Sequence, residues 1–116
     1  MTQTFNHTAH KKMWTWLAEH PFSDKSDYFD FAETIPTNKC YACESTETAG
    51  TPSLNCKLCP FRGNWEHTDN VDGHFECEDG LYYKWVDAQM GSKERSELAR
   101  IIANLPISKH YRGELK

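Results

Sequence analysis

Apolar side chains fall at helical intervals near both ends of the chain and seldom in its middle. Met13, Trp14 and Leu17 lie at i, i+1 and i+4, with His10 three residues before Met13, so His7–His20 reads as a helix with one apolar face. Pro21 stops it. Ser23 or Asp24 can cap a second, short helix carrying Tyr28, Phe29, Phe31 and Ala32, which Ile35-Pro36 ends. Leu81, Trp85 and Ala88 (i, i+4, i+7) predict a helix over Leu81–Met90, closed by Gly91. Ser92 stands as N-cap for a last helix, Lys93–Asn104. Its Leu98, Ile101 and Ile102, with Leu105 beyond, form the cleanest amphipathic stripe in the chain, and Pro106 stops it.

The segment 37–80 differs. Gly50, Pro52, Pro60, Gly63, Gly73 and Gly80 predict turns and short strands there rather than helices. Phe61, Trp65 and Phe75 are its large anchors, and a stretch this polar buries too little surface to order itself. Its cysteines are the obvious fastening. Cys40-Tyr-Ala-Cys43 and Cys56-Lys-Leu-Cys59 are two CxxC hooks separated by twelve residues. A CxxC turn lets two thiolates converge on one ion, and two hooks complete a tetrahedral S4 shell, closed to substrate. Soft thiolates select zinc or iron over magnesium or calcium. Structural Zn2+ on Cys40, Cys43, Cys56 and Cys59 is the favoured reading. A rubredoxin-like iron site or a redox dithiol is the alternative; Glu44 and Pro60 follow the hooks where rubredoxin favours Gly. Cys77 reads first as a buried thiol and second as a replacement ligand, from a short strand Phe75–Cys77. His67 and His74 are further candidate ligands.

Composition agrees with a stapled domain. The chain has 116 residues, enough for one domain (1–116), with the ordered part expected at about 7–106 and the knuckle at 37–80. It carries 15 aromatic residues, 6 Phe, 4 Trp and 5 Tyr, but few aliphatic ones, so a metal would strengthen a small core. The first few residues are polar and expected to fray. No apolar run is long enough to span a membrane, and the first 20 residues lack the apolar core of a secretory signal. A cytoplasmic setting, with reduced thiols, follows as an expectation.

Charge narrows the partner. Residues 40–80 carry Lys57 and Arg62 against eight acidic side chains, net −6, whereas residues 81–116 are net +3. Phosphate binding needs clustered cations, so an acidic knuckle repels a duplex. Nucleic-acid binding through Lys93, Arg95, Arg100, Lys109, Arg112 and Lys116 is the alternative to protein binding, although Glu94 and Glu97 can pair with that helix face. No phosphate-loop, dinucleotide or hydrolase motif is present. His67, Asp69 and His74 are the right residue types for a metal-dependent nuclease but lie outside the hooks, so the chain reads as a non-enzyme. Trp14 and Trp16 diverge by about 200° on a helix. One therefore packs outside the main core, against the 24–33 segment or as a surface anchor for a protein partner. Tyr82 and Tyr83 pose the same question.

Taken together, the residues Trp14-x-Trp16-Leu17-Ala18-x-x-Pro21, Cys40-x-x-Cys43-Glu44, Cys56-x-x-Cys59-Pro60, Cys77 and Leu81-Tyr82-x-Lys84-Trp85 resemble a family of small uncharacterised proteins of tailed bacteriophages. The resemblance spans about residues 10–106. It implies a viral gene, the cytoplasm of an infected bacterium, an accessory role on a host or phage protein, and Cys77, the late cysteine, as a candidate ligand. The chain departs from the family pattern in its long acidic loop, residues 66–79. The expected fold is α-rich α+β. It has three or four short helices around a central zinc knuckle, at most two or three short strands, and a core through Trp14, Leu17, Trp85, Leu98, Ile101 and Ile102.

Overall fold

The computed structural model describes residues 3–32, 35–36, 40–48, 58–62, 64, 80–109 and 111–116. Helix α1, His7–Glu19, begins at Asn6, whose side chain accepts from the Ala9 N–H at 3.1 Å, and ends before Pro21. Helix α2, Lys25–Phe29, is closed by a capping box in which Asp24 and Asp27 exchange side-chain and backbone hydrogen bonds. Helix α3 is Tyr41–Thr48 and helix α4 is Leu81–Asp87. Helix α5, Lys93–Ala103, starts at Ser92, whose hydroxyl accepts from the Arg95 N–H at 3.1 Å. Strands β1 (Thr4–Phe5) and β2 (Glu114–Leu115) pair in parallel, with Phe5 opposite Leu115.

Helix α1 lies along α5, and their meeting face is the centre of the core. Met13, Trp14, Leu17 and Ala18 of α1 meet Leu98, Ala99, Ile102 and Ala103 of α5, all buried. Ala99 and Ala103 bring the two backbones close. The Ser96 hydroxyl donates across the interface to the Ala18 carbonyl at 2.5 Å. Trp85 of α4 meets Trp14 edge to face at 4.9 Å. At the other end of α1, Phe5 and Phe61 are fully buried and pack edge to face at 5.2 Å.

The α-rich α+β expectation holds, with four differences. Among the described residues there are five helices rather than three or four. The extra one is α3, in the segment expected to form only turns and short strands; its sequence YACESTET contains no Gly or Pro, and the breakers Gly50 and Pro52 lie beyond it. Ile101 is 47% exposed, not core, because the buried stripe of α5 runs through Arg95, Leu98, Ala99 and Ile102, one position round from the stripe read off the large side chains. Helix α4 ends at Asp87, with Ala88 already in extended backbone. Finally, packed structure reaches past 7–106 at both ends: Phe5 is sealed in the core and β2 hydrogen-bonds to its strand, Lys116 N–H donating to the Phe5 carbonyl at 2.8 Å. Trp65, Phe75 and the acidic loop 66–79 lie outside the described residues.

Candidate metal centre

The first cysteine hook is built where α3 begins. The Cys40 carbonyl accepts from the Glu44 N–H at 3.0 Å, which opens the first helical turn. The Cys40 sulfur takes the place that a Ser or Asp cap usually fills, accepting from the Cys43 N–H at 3.3 Å. A hydrogen bond from the Cys43 side chain, the Lys25 charge and the Cys43 and Ala42 amides outweigh burial and lower the Cys40 thiol to about 6. These neighbours favour the thiolate, the form that binds metal.

Lys25 is positioned for that effect. It is only 7% exposed, and its ammonium lies 4.4 Å from the Tyr82 ring centre and 5.3 Å from that of Trp14. Phe29, one turn further along α2, packs on Tyr41 at 6.3 Å, so this face of α2 meets the first turn of α3.

The second hook is described at Cys59, with Leu58 before it and Pro60-Phe61 after it. Phe61 anchors it on Phe5 and, at 4.7 Å, on His10. Gln3 ties it to α3: its Nε2 donates to Ser45 Oγ at 3.1 Å and to the Leu58 carbonyl at 2.7 Å. Residues next to each hook thus share one side-chain amide. The Pro60 carbonyl accepts from the Ser108 N–H at 2.7 Å, which fixes the far side.

Cys40 and Cys43 are therefore brought together, half-buried, with Cys59 against the same core. Among the described residues, no group of three or more His, Cys, Asp or Glu stands close enough to hold a metal ion, so Cys59 does not complete a set with the pair. Cys56, Cys77, His67, Asp69 and His74 lie outside the described residues. No disulfide joins Cys40, Cys43 and Cys59. The donor chemistry of the first hook fits half of a tetrathiolate zinc shell: two adjacent thiols, one with its pKa lowered and peptide N–H groups on its sulfur.

Two cations are buried: Lys25, unread in the sequence, and Arg95, expected on the basic, solvent-facing side of the last helix. The Arg95 guanidinium lies 4.0 Å over Trp85 and donates to the carbonyls of Trp85 (2.8 Å) and Ser23 (3.3 Å). Both occupy apolar positions in their helices, Lys25 before Tyr28 and Phe29, Arg95 before Leu98 and Ala99; that register was the available signal. His10 is a core residue. Its Nε2 is 2.9 Å from the Ile102 carbonyl, and burial, with His7 and two lysines nearby, lowers its pKa to about 3 despite that contact.

Trp16 packs against Tyr28 (5.6 Å) and Phe31 (5.4 Å), in the 24–33 segment as expected. Tyr82 is half-buried on Trp14 and Trp85, while Tyr83 is exposed. Among the described residues, no helix is long and apolar enough to cross a membrane. Compared with family models, with curated proteins and with solved structures, the chain finds no match in any of the three.

Proposed function

We propose that the chain is a zinc-stapled, non-enzymatic module that binds another protein. The observation that carries the reading is the Cys40–Cys43 pair at the start of α3, with the Cys40 sulfur accepting from the Cys43 N–H and its thiol pKa lowered, and with the second hook tied to the same helix through Gln3. Cys40, Cys43, Cys56 and Cys59 would hold the ion, with Cys77 as the replacement if one hook cysteine stands off. Bound zinc supplies a cross-link between the hooks, contributing on the order of 10 kcal/mol at neutral pH. That is comparable with the whole stability of a domain, about 5–15 kcal/mol. The chain's own part is to hold Cys40 deprotonated, to keep the Lys25 charge nearby, and to seat Phe61 under the second hook.

The resemblance to the phage family sets the expected context: an accessory protein in the cytoplasm of an infected bacterium, acting on a host or phage protein. Exposed aromatic side chains on the folded surface support a protein partner. The nucleic-acid alternative is weaker, since two of its basic side chains are engaged elsewhere: Arg95 is buried on Trp85, and Lys93 pairs with Glu97 at 3.8 Å.

The test is capture of partners from bacterial lysate by the tagged full chain, with and without nuclease, in zinc and after chelation. A stoichiometric protein that survives nuclease and is lost on chelation supports the reading. A set of ribosomal or nucleoid proteins lost on nuclease treatment would move the protein to the nucleic-acid class.

A further inference from the structure

The outer face of α1 and the turn after α2 line an open groove of about 440 Å³. Its floor is Trp16, Tyr28 and Phe31, three rings with centres 5.1 to 5.6 Å apart. Phe31 is 60% exposed, a large apolar surface left in water beside a half-buried Trp. Lys11 and Lys12 stand on the rim at one end and Glu19 at the other. All three are exposed, and among the described residues no ion pair engages either lysine.

We propose that this groove docks an extended peptide segment of a partner protein, one carrying a large apolar side chain with carboxylates to one side of it. The apolar side chain covers Phe31 and the edge of Trp16, and the carboxylates meet Lys11 and Lys12. Spacing sets the motif. Lys12 and Trp16 are four residues apart, about 6 Å along the helix axis. A strand advances about 3.3 Å per residue, so the carboxylate sits about two residues from the apolar anchor. Glu19 disfavours acid at the opposite end and so gives the peptide a direction.

Single-stranded nucleic acid would also offer negative charge and flat groups, but it needs open ring faces for base stacking. One face of Trp16 is already covered by His20, stacked at 4.1 Å and 16°, and Tyr28 is buried. Rings meeting edge to face suit a compact side chain better than a base.

This inference rests on the protein-binding reading above and names its surface. The test selects a displayed random-peptide library against the full chain, with oligo(dT) and oligo(A) as competing probes. Enriched peptides should carry Asp or Glu about two residues from a large apolar residue and bind less tightly as salt rises. Phe31→Ser should weaken them at least tenfold, and the double change Lys11→Glu, Lys12→Glu should turn selection toward basic peptides. No enrichment, enrichment without an acidic bias, equal binding to the Phe31→Ser chain, or displacement by the oligonucleotides would each overturn it. A lysate partner still captured by the Phe31→Ser and Lys11→Glu, Lys12→Glu chains would sink the groove but leave the protein-binding reading standing; loss of every partner in the unaltered chain would sink both.

Discussion

Acid should unfold this protein through His10, and the effect can be isolated. The His10 ring is 2% exposed, enclosed by Phe5, Phe61 and Trp14, with Nε2 on the Ile102 carbonyl. Burial is the main reason that its pKa falls from 6.5 to about 3. A folded-state pKa below the unfolded one means that the unfolded chain binds the proton more readily. Stability is therefore full above pH 6.5 and falls as pH drops from there towards 3. The slope is about 1.4 kcal/mol per pH unit while the unfolded imidazole is charged and the folded one is not. Between pH 6.5 and 5 the loss is about 2 kcal/mol, a sizeable part of a typical domain's stability. Because acid would also release any metal held by the thiolates, the clean measurement is a difference. Urea unfolding of the unaltered chain and of His10→Gln, in the same metal state, is followed from pH 7.5 to 5. The variant should be less stable at pH 7.5, through lost ring packing, and the gap should close by about 2 kcal/mol by pH 5. Parallel curves would refute the reasoning, because they would mean that His10 takes up its proton without unfolding.

Other substitutions probe the packing and the hook. Ala99→Leu forces extra carbons between α1 and α5, where Ala99 is fully buried, and should cost about 1–3 kcal/mol in a denaturant titration. Arg95→Lys loses the planar stack on Trp85 and one of two carbonyl contacts; a loss of about 1–3 kcal/mol is expected, and no change in melting temperature would remove the role given to the guanidinium. Gly91 has a φ of +81°, and a Cβ there would run into the Phe22 ring, so Gly91→Ala should lower the melting temperature by several degrees. Lys25→Met should weaken zinc retention against a competing chelator, with Lys25→Arg restoring much of it; equal retention in all three chains would show that the Lys25 charge does not act on the site.

Legibility followed the size of the signal. Helices α1, α2 and α5 could be read because a cap residue and an apolar stripe agree at each: Asn6 excepted, the caps Asp24 and Ser92 stood in plain view. The large side chains of α5 mark a stripe one position away from the buried one, because its alanines carry no hydrophobic bulk. Ala99 and Ala103 decide the face, since a small residue lets α1 approach, and Ile101 is left in water. Helix α3 lies in a segment rich in Gly and Pro, but those breakers all fall outside Tyr41–Thr48. The β1–β2 pair is two residues long on each strand, too short for alternation to register, and rests on a parallel contact between distant parts of the chain. Within the candidate centre, the CxxC spacing marked Cys40 and Cys43, and the fold brings them together as a capping pair. Lys25 and Gln3 left no mark, because their roles come from tertiary neighbours rather than from spacing.

The most direct test of the central claim is metal content. The full chain, purified without added metal or chelator, is assayed for zinc and iron by mass spectrometry, and its melting curve is followed before and after chelation. The account predicts one zinc per chain, loss of that zinc in Cys40→Ser, and a melting temperature that collapses on chelation and recovers when zinc is restored. A chain that carries no metal, takes up none when zinc is offered, and melts at the same temperature with chelator present would contradict it.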